Sequence, residues 1–166
     1  YEGDARQNIS STAEKTPDLS SLTWKEAASS TPWSERDAHA SIVFNNKIWL
    51  MGGLNGNPVT KGKYVEYWNA PYFNDIWSTA NGTDWTREAA TSTWHPRRSL
   101  SLQEFNGKIW LIGGWSPIDG YITDIFTSPD GAELSLATTS ARWSNREGQV
   151  VRAFNNKLWL FCGVNY

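Results

Sequence analysis

The sequence predicts an all-β chain of small, stacked antiparallel sheets, and three observations carry that prediction. Short apolar runs alternate with clusters of Asn, Gly, Pro and Ser, and no stretch keeps a helical period. One ten-residue signature occurs three times in the 166 residues. Eleven Trp and thirteen Gly accompany it, a pairing that suits packed sheets joined by tight turns.

The signature Phe44-Asn45-Asn46-Lys47-Ile48-Trp49-Leu50-Met51-Gly52-Gly53 returns as Phe105-Asn106-Gly107-Lys108-Ile109-Trp110-Leu111-Ile112-Gly113-Gly114. It returns again as Phe154-Asn155-Asn156-Lys157-Leu158-Trp159-Leu160-Phe161-Cys162-Gly163. The offsets are 61 and 49 residues, and the same two relate Trp33-x-x-Arg36, Trp94-x-x-Arg97 and Trp143-x-x-Arg146. The larger one relates Trp24 to Trp85, and the smaller relates Asp75-Ile76-Trp77 to Asp124-Ile125-Phe126. Independent landmarks in one register define a repeat.

Each unit reads as four strands. Asn-Asn or Asn-Gly between two apolar runs favours a two-residue turn with both residues at positive φ, which pairs strands A and B over 40–44 and 47–51. Ile48-Trp49-Leu50-Met51 is apolar on both faces, as in a strand covered on each side. The Gly-Gly pair ends strand B at a turn that a Cβ would block. Strand C starts at Asp75 or Asp124 and reaches the polar turn Ala80-Asn81-Gly82-Thr83 or Ser128-Pro129-Asp130-Gly131. Strand D carries Trp85-Thr86-Arg87. One such sheet cannot bury two apolar faces alone, so it stacks on copies of itself, and radial stacking gives a β-propeller.

These landmarks resemble the kelch repeat, in the variant with Asp-Ile-Trp-Ser-x-x-x-Gly-x-x-Trp and Trp-x-x-Arg, over residues 20–163. The resemblance implies a kelch-type propeller segment of four-stranded blades, and a place outside the cell or in the periplasm. It implies an innermost strand A lining an axial channel, so polar residues such as Gln103 and Arg152 are tolerated there. Kelch-like propellers serve protein binding, glycan binding and some catalysis, so the family implies architecture and leaves function to the site. Galactose oxidase shares the fold type, but its copper ligands have no visible counterpart here. Cys162 departs from the pattern by replacing the first Gly of its pair.

Two complete blades are expected, with complementary partial blades at the ends. Residues 1–19 form an N-terminal extension with a strand C near 8–12, and Trp24 opens a strand D. The C-terminal unit offers only A and B, and 164–166 continue or close a blade. Three blades are too few for a closed ring. Two copies making six, further blades on a longer chain, and a filament all remain open.

Net charge is −2, which argues against a nucleic-acid partner. No apolar run is long enough to cross a bilayer as a helix, and the N-terminal residues lack a signal-peptide core. Cys162 is the single cysteine, so neither an internal disulfide nor a multi-cysteine zinc site forms. His39 and His95 have no second His or Cys at ligand spacing, and no metal or cofactor is expected. Asn8-Ile9-Ser10 and Asn81-Gly82-Thr83 match glycosylation sequons, a pattern that often arises by chance.

Strand alternation puts the D–A and B–C loops on one face. Arg36, Arg97 and Arg146, with the neighbouring Arg98, could there meet a glycan or an acidic peptide. Residues that recur in every unit more often serve the unit itself, and packing is the stronger reading for them. Better binding candidates break the repeat: Trp68 with Tyr64, Tyr67, Tyr72 and Phe73 in a twelve-residue insertion, and Trp115 with Tyr121 in the second unit. The expected function is a non-catalytic module recognising a protein or glycan through that face. A self-assembling structural subunit and a part of a carbohydrate-active enzyme are the alternatives.

Overall fold

The computed structural model describes residues 25–56, 60–61, 64–65 and 67–165. They form an all-β structure whose one helical element is a 3-10 turn at Tyr67–Asn69. The first sheet begins with β1 (Ala40–Phe44) and β2 (Lys47–Met51). A short ribbon, β3 (Thr60–Lys61) with β4 (Tyr64–Val65), interrupts it before β5 (Ile76–Thr79) and β6 (Thr86–Ala89) complete the order β1-β2-β5-β6. The second sheet holds β7 (Ser101–Phe105), β8 (Lys108–Ser116), β9 (Gly120–Ser128) and β10 (Ser135–Thr138) in sequential order. A third unit comprises β11 (Val150–Phe154) and β12 (Lys157–Phe161). All pairings are antiparallel.

The hairpin turns behave as their residues dictate. Asn45 and Asn46, Asn106 and Gly107, and Asn155 and Asn156 all sit at positive φ, between 49° and 68°. Each turn sets the same register, Phe44 opposite Lys47, Phe105 opposite Lys108 and Phe154 opposite Lys157.

The B-to-C connection is where the two full sheets part company with expectation. In the second sheet the Gly pair does not end the strand. A register shift between Ile112 and Gly114, with Gly113 at φ 60°, lets the ladder resume through Trp115 opposite Tyr121. Trp115 and Tyr121 are therefore strand residues on a long hairpin rather than loop residues. In the first sheet the equivalent rung survives as an isolated bridge, Leu54 opposite Tyr72. The described parts of the insertion, β3, β4 and the 3-10 turn, lie in the chain between the two residues of that bridge.

The sheets meet through their inner strands, with β7 packed between β1 and β11. Phe44, Trp49 and Met51 from the first sheet join Leu100, Leu102, Ile109, Leu111, Phe126 and Leu134 from the second in one buried cluster. Among the described residues the sheets do not close into a ring. The strands expected at 8–12 and Trp24 lie outside the described residues, and residues 25–36 enter no strand.

Candidate functional site

The recurring arginines are structural clamps within their own sheets. Arg36 grips Asp75 with both guanidinium ends, at 2.7 and 2.9 Å, and donates to the Gly52 carbonyl at 3.0 Å. Arg97 repeats this on Asp124 at 2.5 and 2.9 Å, and on the Gly113 carbonyl at 3.3 Å. The geometry ties the entry to strand A to the end of B and the start of C. Both arginine side chains are almost fully buried, which removes them from the set free to meet a ligand. Arg146 makes the corresponding bond to the Cys162 carbonyl at 2.7 Å, but its other described partners are Ser144 atoms rather than a carboxylate.

Burial acts on Asp75 in the direction of a higher pKa. Hydrogen bonds from Arg36 and Trp77, with the charges of Arg36 and Arg87, outweigh it and hold the carboxyl below the usual aspartate range. A depressed folded value means that this group's stabilisation is complete above about pH 4 and disappears as pH falls through the folded pKa. Acid titration of unfolding should show stability falling below that point, with a shallower fall in Asp75→Asn. Equal slopes for the two proteins would remove Asp75 from the acid response.

The aromatic insertion is only partly a packing element. Tyr72 meets the Trp115 ring at 5.6 Å between centroids, and the Phe73 ring lies 4.2 Å beneath the Arg36 guanidinium. Arg98 stacks on Trp115 at 4.9 Å and pairs with Glu147 at 2.9 and 3.1 Å, bridging the second sheet to the third unit. Tyr72, Trp115 and Arg98 thus hold neighbouring units together, whereas the Phe73 ring packs on the arginine of its own unit. Trp68, on the 3-10 turn, is 66% exposed and remains a free aromatic surface. The side chains of Tyr64 and Tyr67 lie outside the described residues.

Two concavities open on the D–A/B–C face. One, of about 520 Å³, is lined by equivalent residues of three units: Asp37 and Ala38, Arg98 and Ser99, Glu147 and Gly148. The other, of about 340 Å³, belongs to the second sheet and the loops on either side of it. Trp94 and Arg97 line it, with His95, Asp119, Tyr121, Thr123 and Asn145 around them. His95 Nδ1 is hydrogen-bonded to the Asp119 carboxylate, which leaves Nε2 as the ring's outer nitrogen. Trp94 is 1% exposed, and its buried indole N–H meets no acceptor among the described residues.

Of the residues singled out from sequence, Tyr121 and Arg97 reach this cavity, while Trp68, Trp115 and Arg36 do not line it. His95, Asp119, Thr123 and Asn145 were missed as binding residues. A signal for His95 existed, since the other two units carry Ser34 and Ser144 at its position. Asp119 had none, because its approach to His95 depends on how far the β8–β9 hairpin extends. No cluster of three or more metal-ligating side chains occurs among the described residues. No model of a known protein family matches the chain, and no curated protein matches it.

Proposed function

We propose that this chain is a recognition segment of a kelch-like propeller, binding a hydroxylated ligand, a glycan residue first among them, on its D–A/B–C face. The observation that carries the reading is the cavity beside Trp94. His95, which breaks the repeat, meets Asp119 there, and the repeated Arg97 lines it with its donors spent on Asp124 and on two carbonyls. The partly exposed Tyr121 ring, with an imidazole, an amide, two carboxylates and four hydroxyls on the same lining, offers stacking and both hydrogen-bonding polarities. An extracellular or periplasmic setting belongs to the same proposal.

A protein ligand is the second reading. It is favoured by two bulky apolar side chains exposed on B–C excursions, Trp68 and Ile118.

A glycan array and a set of immobilised proteins, probed with the intact chain, separate the two. Tyr121→Ala and His95→Ala should each weaken glycan capture about tenfold or more while leaving thermal unfolding within a few degrees, since both side chains are at least partly exposed. Trp68→Ala should spare glycan capture and impair protein capture. Binding unchanged in both cavity variants would sink the cavity as the site.

A further inference from the structure

The first and second sheets close on each other along their inner strands. There the Ser99 N–H donates to the Ala38 carbonyl at 2.8 Å, and Leu100 fills the space beside Gly52. The Trp49 ring lies over Gly131 so closely that a Cβ there would fall 2.5 Å from ring atoms. Along the outer strands β6 and β10 the sheets part instead, and a cavity of about 660 Å³ opens between them. Glu88, Thr91 and Thr93 line one wall, and Glu133, Leu134 and Ser135 line the other.

This rim cavity adjoins the one beside Trp94. Thr93 lines both. On the facing wall Leu134 lines the rim cavity and Leu136 the Trp94 cavity, and residues two apart on an extended strand share a face. The Thr93 hydroxyl donates to the Leu134 carbonyl at 3.4 Å, which fixes the spacing of the walls where the cavities meet.

The two linings also agree in charge. Arg97 spends its donors on Asp124 and on the Gly113 and His95 carbonyls, and His95 is paired with Asp119. No Lys or Arg lines the rim cavity, whereas two carboxylates do. Glu88 is engaged by Lys47 and Ser78, but Glu133 is exposed. An anionic chain would lay its charges along Glu133, Asp119 and Asp124 with no guanidinium donor left to meet them, and like charges brought together cost affinity.

We infer, on the basis of the glycan reading above, that the two cavities are subsites of one groove whose ligand is an uncharged linear oligosaccharide. One sugar stacks on Tyr121 beside Trp94, and the chain passes Thr93 to leave along the rim between β6 and β10. There Thr91 and Ser135 offer hydroxyls, and the Glu133 carboxylate accepts from sugar O–H groups. The Trp94 cavity alone sits at the small end of ligand sites, and the larger rim cavity gives the rest of the chain its room.

Calorimetric titration of the intact chain with neutral gluco-, manno- and xylo-oligosaccharides of increasing length, and with uronate oligomers of matching length, tests this. Affinity should rise about tenfold or more from monosaccharide to tetrasaccharide, and uronates should bind about tenfold more weakly than neutral chains. Ser135→Trp and Thr91→Trp fill the rim cavity from opposite walls at exposed positions, and each should erase the gain with length. An affinity that ignores length while His95→Ala still weakens binding overturns the groove and leaves the Trp94 cavity as the site. No binding at any length overturns both readings. A gain with length that survives in both Trp variants overturns the inference, as does equal binding of uronates.

Discussion

Arg97→Ala is expected to cost about 3–5 kcal/mol of unfolding free energy, the scale for removing one partner of a buried ion pair. The Arg97 side chain is 1% exposed, and its guanidinium meets both Asp124 carboxylate oxygens, the Gly113 carbonyl and the His95 carbonyl. Truncation leaves that carboxylate partly buried without a counter-charge and strips two carbonyls of a donor. It also removes a cation stacked within 6 Å of the Trp94 and Phe126 rings. Arg97→Lys should recover little, because an ammonium cannot make the forked contact. The informative control is Arg146→Ala at the equivalent position. That guanidinium is exposed and meets no carboxylate among the described residues, so its loss should cost less than about 1 kcal/mol. Urea denaturation of the three variants checks the ranking. Equal losses at 97 and 146 would show that the carboxylate adds nothing to the clamp.

Trp49→Ala is expected to cost a further 3–5 kcal/mol, by the cavity and transfer terms that accompany loss of a large buried side chain. The indole is 2% exposed, packs into the shared cluster and donates its N–H to the Phe44 carbonyl at 2.9 Å. Gly131 tests the same contact from the other side. Gly131→Ala adds a methyl that meets the Trp49 ring and places alanine at φ 92°. Gly82→Ala carries a similar backbone penalty, at φ 82°, but its Cβ meets nothing within 4 Å among the described residues. Gly82→Ala should therefore cost about 1 kcal/mol, and Gly131→Ala clearly more. Thermal unfolding followed by Trp fluorescence distinguishes them. Similar shifts for the two glycines would mean that the ring yields and the junction is softer than its geometry suggests.

How much of this was legible in the residues follows from the range of each interaction. The A–B hairpins were readable to the residue, because Asn-Asn and Asn-Gly fix the turn and the turn fixes the register. Strands C and D were legible through Asp75, Trp77 and Trp85, landmarks repeated within or near their own sheets. The reach of β8 and β9 past Gly113 was not, since a Gly at positive φ serves equally to stop a strand or to carry a bulge. Long-range pairs fared worse. Arg97 and Asp124 were each visible as repeats, but their union across 27 residues emerged only when β8 and β9 brought them together. The cavity beside Trp94 depends on two loops and a hairpin tip whose relative placement no local pattern encodes.

Ala38, Ser99 and Gly148 occupy the same left-handed position at φ 50°, 53° and 67°, and the Ser99 N–H donates back to the Ala38 carbonyl as the Gly148 N–H donates back to the Ser99 carbonyl. A joint made the same way every time is indifferent to how many units have come before it. Unequal crossing-over that duplicated or excised one 49-residue period would meet, at the new seam, a partner already shaped to receive it. Copy number in such a lineage can drift by whole units while the sequence within each unit stays put.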